Sequence, residues 1–146
     1  MPRYRNSLPQ LSGSLFLGDA GVETDLIFNH GIEIREFAAH TLLPDPKGRA
    51  ALTRYFEGFL ELAKEQNAGF VLDTVTWKAH RHWAEKLGAT EPDLKAANEA
   101  CVRLIEDLRA RFADNARPIV LNGVIGRRGD AYRPEQLIAI DAAEDY

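Results

Sequence analysis

Three short apolar runs constrain this chain more than anything else in it. They are Leu15-Phe16-Leu17, Phe70-Val71-Leu72 and Ile119-Val120-Leu121, about 50 residues apart. No polar residue alternates with the apolar ones, so each reads as a strand buried on both faces. Each run opens directly onto small and polar residues: Gly18-Asp19-Ala20-Gly21, Asp73-Thr74-Val75-Thr76-Trp77 and Asn122-Gly123-Val124-Ile125-Gly126. Long helical patterns fill the gaps, and no two-residue hairpin signal separates the runs. Buried strands alternating with helices imply a parallel sheet with right-handed crossovers. The two common solutions are a doubly wound sheet and a (β/α)8 barrel, and both place sites at the carboxyl ends of the strands.

The helices have their own start and stop signals. Val22 to about Asn29 carries Val22, Leu26 and Ile27 on one side, and His30-Gly31 supplies a stop. Residues 31–43 read as a loop with a short helix around Glu36–His40. Asp45 and Pro46 form a cap and first turn for a long amphipathic helix with Leu52, Tyr55, Phe56, Phe59, Leu60 and Ala63 on its apolar stripe. Asn67-Ala68-Gly69 ends it. A short helix over Ala79–Leu87 stops at Gly88. Thr90, Pro92 and Asp93 open another long helix, a near-match to a capping box, with a stripe from Leu94 through Ala97, Cys101, Leu104, Ile105 and Leu108 to Phe112.

With 146 residues the chain is long enough to bury a core, and 45% hydrophobic against 27% charged residues is ordinary for a globular protein. A formal net charge of -4 argues against a nucleic-acid or anionic-membrane partner, which needs a basic face. There is no apolar run of membrane-spanning length and no apolar core behind MPRYRNSLPQL to make a secretory signal. The single cysteine fits a reducing cytoplasm, and it excludes both an internal disulfide and a multi-cysteine metal site made by this chain alone.

Asp19-Ala20-Gly21 is the strongest local signal. Asp19 at a strand end suits a substrate ammonium, and the Ala20 and Gly21 N–H groups opening a helix suit a carboxylate. The competing reading is that Asp19 only caps the helix and Gly21 only relieves the turn. Thr74 and Thr76 offer hydroxyls and Trp77 an aromatic wall, against the simpler reading of ordinary strand-end packing. The Gly123–Gly129 stretch lacks the pattern of a phosphate loop or a dinucleotide fingerprint. His80 and His82 have the wrong spacing for a helical metal pair and read as surface residues. Cys101 on an apolar stripe reads as a buried structural thiol. Arg128-Gly129-Asp130 is a chance tripeptide.

Taken together, these blocks resemble a family. GDAGVETDL is similar to the D-G-G-x-x-T-x-L opening of the homocysteine S-methyltransferases, AGFVLDTVTWKAH to their second-strand region, and LNGVIGRRGDAY to their third-strand G-x-[IV]-G-P-x-G block. Three blocks in order cover nearly the whole chain. The resemblance implies a (β/α)8 TIM barrel that moves a methyl group onto the thiol of homocysteine to give methionine. It also implies a zinc ion held by cysteines of later strands, in G-x-N-C and G-G-C-C blocks that this chain does not contain. By the same resemblance, Asp19, Ala20 and Gly21 hold the amino-acid end of homocysteine, and Thr74, Thr76 and Trp77 line the pocket. Ala20 replaces a usual glycine, Val75 a frequent asparagine, and Arg127 the proline of the third block. Lys78 stands where some members carry an aromatic residue. These departures bear on the methyl donor more than on the fold.

The expectation is therefore an irregular arm over residues 1–13 and, over 14–146, the N-terminal part of a (β/α)8 barrel with about three parallel strands. Asp141-Ala142-Ala143-Glu144 has a capping-box pattern two residues before Tyr146, which suggests a helix cut short and a larger domain. The alternative is a non-catalytic half-barrel that binds an amino acid or pairs with a second copy. An aldolase-like lyase is weaker, because Lys78 is the only lysine near the three strand ends.

Overall fold

A computed structural model describes Tyr4, residues 6–115 and 117–127, Gly129 and Ile140. Arg128, Asp130 and the helix start expected at Asp141–Glu144 lie outside the described residues. Before the first strand, the described part of the arm is irregular apart from a 3₁₀ turn at Pro9–Leu11 and a turn in which the Ser7 N–H donates to the Tyr4 carbonyl.

Among the described residues, three parallel strands form one sheet in sequential order: β1 (Phe16–Gly18), β2 (Gly69–Asp73) and β3 (Ile119–Asn122). Leu17 pairs with Phe70, which pairs with Ile119. Gly18 meets Val71, and Asp73 meets Asn122. The strand ends thus stand side by side, and the polar block behind each apolar run lies along one rim of the sheet.

Four helices connect them. α1 starts at Val22 and after Thr24 widens into a π-helical turn over Asp25–Asn29. α2 (Pro46–Glu65) begins as its sequence dictates: the Asp45 carboxylate accepts from the Gly48 N–H at 2.8 Å, and proline occupies the first turn, where its missing N–H costs nothing. α3 (Arg81–Leu87) stops at Gly88 with φ 70°, which glycine adopts without strain. α4 (Glu91–Arg111) opens on a complete capping box, Thr90 and Asp93 each satisfying the other's backbone.

α2 and α4 cover the same face of the sheet. Leu52, Phe56 and Leu60 from α2, Cys101, Leu104, Ile105 and Leu108 from α4, and Phe70, Leu72 and Ile119 from the strands share one core. Val71 and Asp73, which alternate to the other face, are only half-buried. The expectation that β1 is buried on both faces is corrected. It lies at the sheet's edge, Phe16 and Leu17 are half-buried, and Leu15 is 62% exposed. Apolar composition alone does not report which strand is central.

The 31–43 segment is also more structured than a loop with one short helix. It holds two 3₁₀ turns, Arg35–Phe37 and Ala39–Leu42, with Glu36 and Phe37 at φ 54° and 55°. Two consecutive side-chain-bearing residues in that region are strained and are held from outside. Arg35 donates to the carbonyls of Leu87, at 3.1 Å, and Lys86 at the end of α3, where a helix favours a cation. Lys78 Nζ donates to the Glu36 carbonyl at 2.6 Å. Among the described residues, no helix is long and apolar enough to cross a membrane.

Candidate functional site

At the carboxyl end of β1 the chain turns from Gly18 through Asp19 and Ala20 to Gly21, whose φ of 63° starts α1. The Asp19 carboxylate is partly buried and accepts from the Tyr55 hydroxyl at 3.0 Å. The same phenolic oxygen accepts from the Ala20 N–H at 3.2 Å. α2 supplies this tyrosine because its apolar stripe faces the sheet and residue 55 falls level with the strand end.

Three carboxylates gather here. Burial pushes Asp19 above the ordinary carboxylate range, the Tyr55 hydrogen bond opposes that, and the charge of Asp73 on β2 adds to it. Burial also raises Glu23, in the first turn of α1; its backbone contacts and Lys78 pull the other way, and Asp19 pushes it up. Burial first, then the Asp19 charge, raise Tyr55, which stays a neutral phenol. The rim of the sheet therefore concentrates negative charge in a partly dry place, an environment that favours a bound cation.

Thr74 and Thr76 are buried and their hydroxyls are engaged with each other and with β3. Thr76 Oγ1 donates to the Val124 carbonyl at 2.6 Å, and the Val124 N–H donates to Thr74 Oγ1 at 2.9 Å. The two hydroxyls lie 2.7 Å apart. A hydroxyl has one proton, and that of Thr76 is committed to Val124, so Thr74 donates to Thr76. The result is a closed ring that begins and ends on Val124 and ties the β2 and β3 ends together. The Asn122 side-chain amide adds a hydrogen bond, donated to Asp73 Oδ1 at 2.8 Å.

Trp77 belongs to a third group. The Lys78 ammonium lies 5.0 Å from the Trp77 ring centre, 3.8 Å from that of Trp83 and 5.9 Å from that of Phe37. Such distances are those of cation–π contacts. Lys78 thereby joins the strained 36–37 turn to the β2 end.

The six residues singled out in the sequence thus divide. Asp19, Ala20 and Gly21 sit together around Tyr55. Thr74 and Thr76 form the ring with Val124, and Trp77 contacts Lys78. Ala20 and Tyr55 line a cavity of about 710 Å3 between α1 and α2, whereas Thr74 and Thr76 line a separate hollow of about 520 Å3 against α4. Tyr55, Glu23 and Lys78 were not read as site residues. One signal was available for Tyr55: a tyrosine on a buried stripe beside Phe56 and Phe59 implies a partner for its hydroxyl.

His80 corrects the surface reading, being half-buried with its basicity lowered by burial and by His82. His40, in the 39–42 turn, is 5% exposed and its Nδ1 has no hydrogen-bond partner. Burial, with the charge of His80, lowers it to about 4. The folded value lies below the ordinary 6.5, so stability is full above pH 6.5 and falls as pH drops toward 4. The expected loss is up to about 3 kcal/mol. Asp19 and Glu23, raised by burial, act in the opposite sense. Urea unfolding at pH 7 and pH 4.5 for the wild type and His40→Gln isolates the histidine: the variant loses less stability on acidification.

The resemblance implies a zinc ion, and the donor set does not fit one. Cys101 is fully buried among the core residues of α4, with its thiol pushed up to about 12 by burial. Among the described residues, no three His, Cys, Asp or Glu side chains are placed to hold a metal. No family model, curated protein or solved structure matches the chain.

Proposed function

We propose that this chain is the amino-acid-binding part of a (β/α)8 barrel of the homocysteine S-methyltransferase type. Sequential strand order with both long helices on one face is how such a barrel begins, which favours it over a doubly wound sheet. One observation carries the substrate reading: Asp19, oriented by Tyr55 and flanked by Glu23 and Asp73, stands at the strand ends where barrel sites lie. An ammonium placed there relieves carboxylate–carboxylate repulsion. In this reading the described residues bind and orient the substrate. They do not activate its thiol; zinc and the methyl transfer are implications of the resemblance, and a cytoplasmic location is the expectation from the single cysteine.

Calorimetry with homocysteine and methionine tests the reading. Binding is expected to strengthen as pH rises through the Asp19 titration and to weaken tenfold or more in Asp19→Asn, about 1.4 kcal/mol. Heat-silent titrations with both ligands, or an Asp19→Asn variant that binds as the wild type does, remove it.

A second reading is pairing with another copy. It has its own observation: β1 and β3 each keep an unpaired edge among the described residues, with Leu15 and Ile125 exposed nearby. A monomer in size-exclusion chromatography at high concentration discards it.

A further inference from the structure

We propose that Tyr55 is a positioning residue that fixes the Asp19 carboxylate for an ammonium and withdraws the Ala20 N–H from carboxylate recognition. The site then reads the cationic end of its ligand, and primary amines with no adjacent carboxylate belong to its substrate class. This deepens the amino-acid-binding reading and rests on it.

The argument starts from one proton and two contacts. The Tyr55 hydroxyl carries a single hydrogen, and it goes to Asp19 Oδ2. The oxygen accepts from Ala20 N–H, the next residue along the chain. Tyr55 therefore bridges a side chain and the backbone immediately after it, which fixes the carboxylate against its own main chain. The ring is itself held: Phe56 and Phe59 meet it edge-on, with ring centres 5.2 and 5.1 Å away. Tyr55 as a whole is 9% exposed.

Charge points the same way. Asp19, Glu23 and Asp73 interact electrostatically at this rim, with Lys78 the cation felt by Glu23. A ligand carboxylate approaching Ala20 meets an N–H already engaged, although Lys47 and Arg54 line the same cavity. A ligand ammonium meets an oriented acceptor. Together these favour the cation without the anion.

Tyr55→Phe tests the proposal, since it keeps the ring and removes only the hydroxyl. In unliganded protein labelled at the aspartate carboxyl carbon, the Asp19 midpoint is expected to rise by about one pH unit in the variant, because a donor to the charged form is lost. In the wild type the Ala20 amide is expected to exchange slowly, and in Tyr55→Phe quickly. An unchanged Asp19 midpoint overturns the positioning role. A fast-exchanging Ala20 amide in the wild type overturns the withdrawal of that N–H.

The ligand arm compares homocysteine with its decarboxylated counterpart, 3-aminopropane-1-thiol. The two are expected to bind the wild type within tenfold of each other, and both to weaken about tenfold in Tyr55→Phe. A loss above a hundredfold on removing the carboxylate overturns the cation-selective claim. Absence of binding by both ligands defeats the amino-acid reading and the claimed substrate class, while the Asp19 midpoint still decides whether Tyr55 positions it.

Discussion

Replacing Gly126 with alanine is expected to cost about 4 kcal/mol or more, enough to leave a domain of ordinary stability largely unfolded. A Cβ at this position would run into the Trp77 carbonyl oxygen and stand 2.8 Å from its carbon. The obstacle is main chain, so no side-chain rotation relieves it. Overpacking of a tight core usually costs about 1–3 kcal/mol because neighbours yield a little. Here the neighbours are tied. Thr76, next to Trp77, is bonded to Val124, two residues before Gly126. Making room therefore means breaking the link between the β2 and β3 ends. Urea unfolding by circular dichroism reads the effect. Gly58→Ala is the control, since nothing lies within 4 Å of a Cβ there and the residue is inside a helix. It is expected to stabilise by up to about 1 kcal/mol through helix propensity. A Gly126→Ala protein as stable as the wild type would mean the close approach is absent in solution.

The second large effect falls on the sheet's centre. Phe70→Ala is expected to lose about 4 kcal/mol, through lost burial and the cavity left behind. Phe70 is fully buried, lies on the middle strand, and belongs to the core shared with α2 and α4. Its register neighbours are Leu17 on one side and Ile119 on the other. A void there loosens two strands and two helices together. Val71 is the comparison, since it points to the half-buried face. Val71→Ala is expected to cost about 1 kcal/mol in the same denaturation experiment. Equal losses at the two positions would mean the helices do not lie on the Phe70 side.

Local signals in this chain were legible because the forces behind them are local. An apolar run bounded by glycine, proline or polar residues gives each strand to within one or two residues. The Asp45–Pro46 start, the Thr90–Asp93 box and the Gly88 stop depend only on backbone groups a few residues away. Features set by distant residues were not legible. β1 is half-exposed because of its place in the pairing order, which no property of Leu15–Leu17 encodes. Glu36 and Phe37 adopt positive φ because Lys78 and the end of α3 hold that segment. The site was half visible: a carboxylate at a strand end was apparent, but its partner lies 36 residues away on a helix. The threonines were correctly located at the strand end, and only the path of their protons shows how they are occupied.

That path has a consequence for how the chain can change over generations. Every member of the Thr74–Thr76–Val124 ring depends on the one before it, so the two hydroxyls count as one unit. Losing the first strands a main-chain N–H, and losing the second strands a carbonyl and a hydroxyl. A lineage leaving this arrangement by single substitutions must cross a less stable intermediate before any apolar replacement becomes neutral. Two unremarkable threonines thereby become a ratchet, costly to leave one at a time.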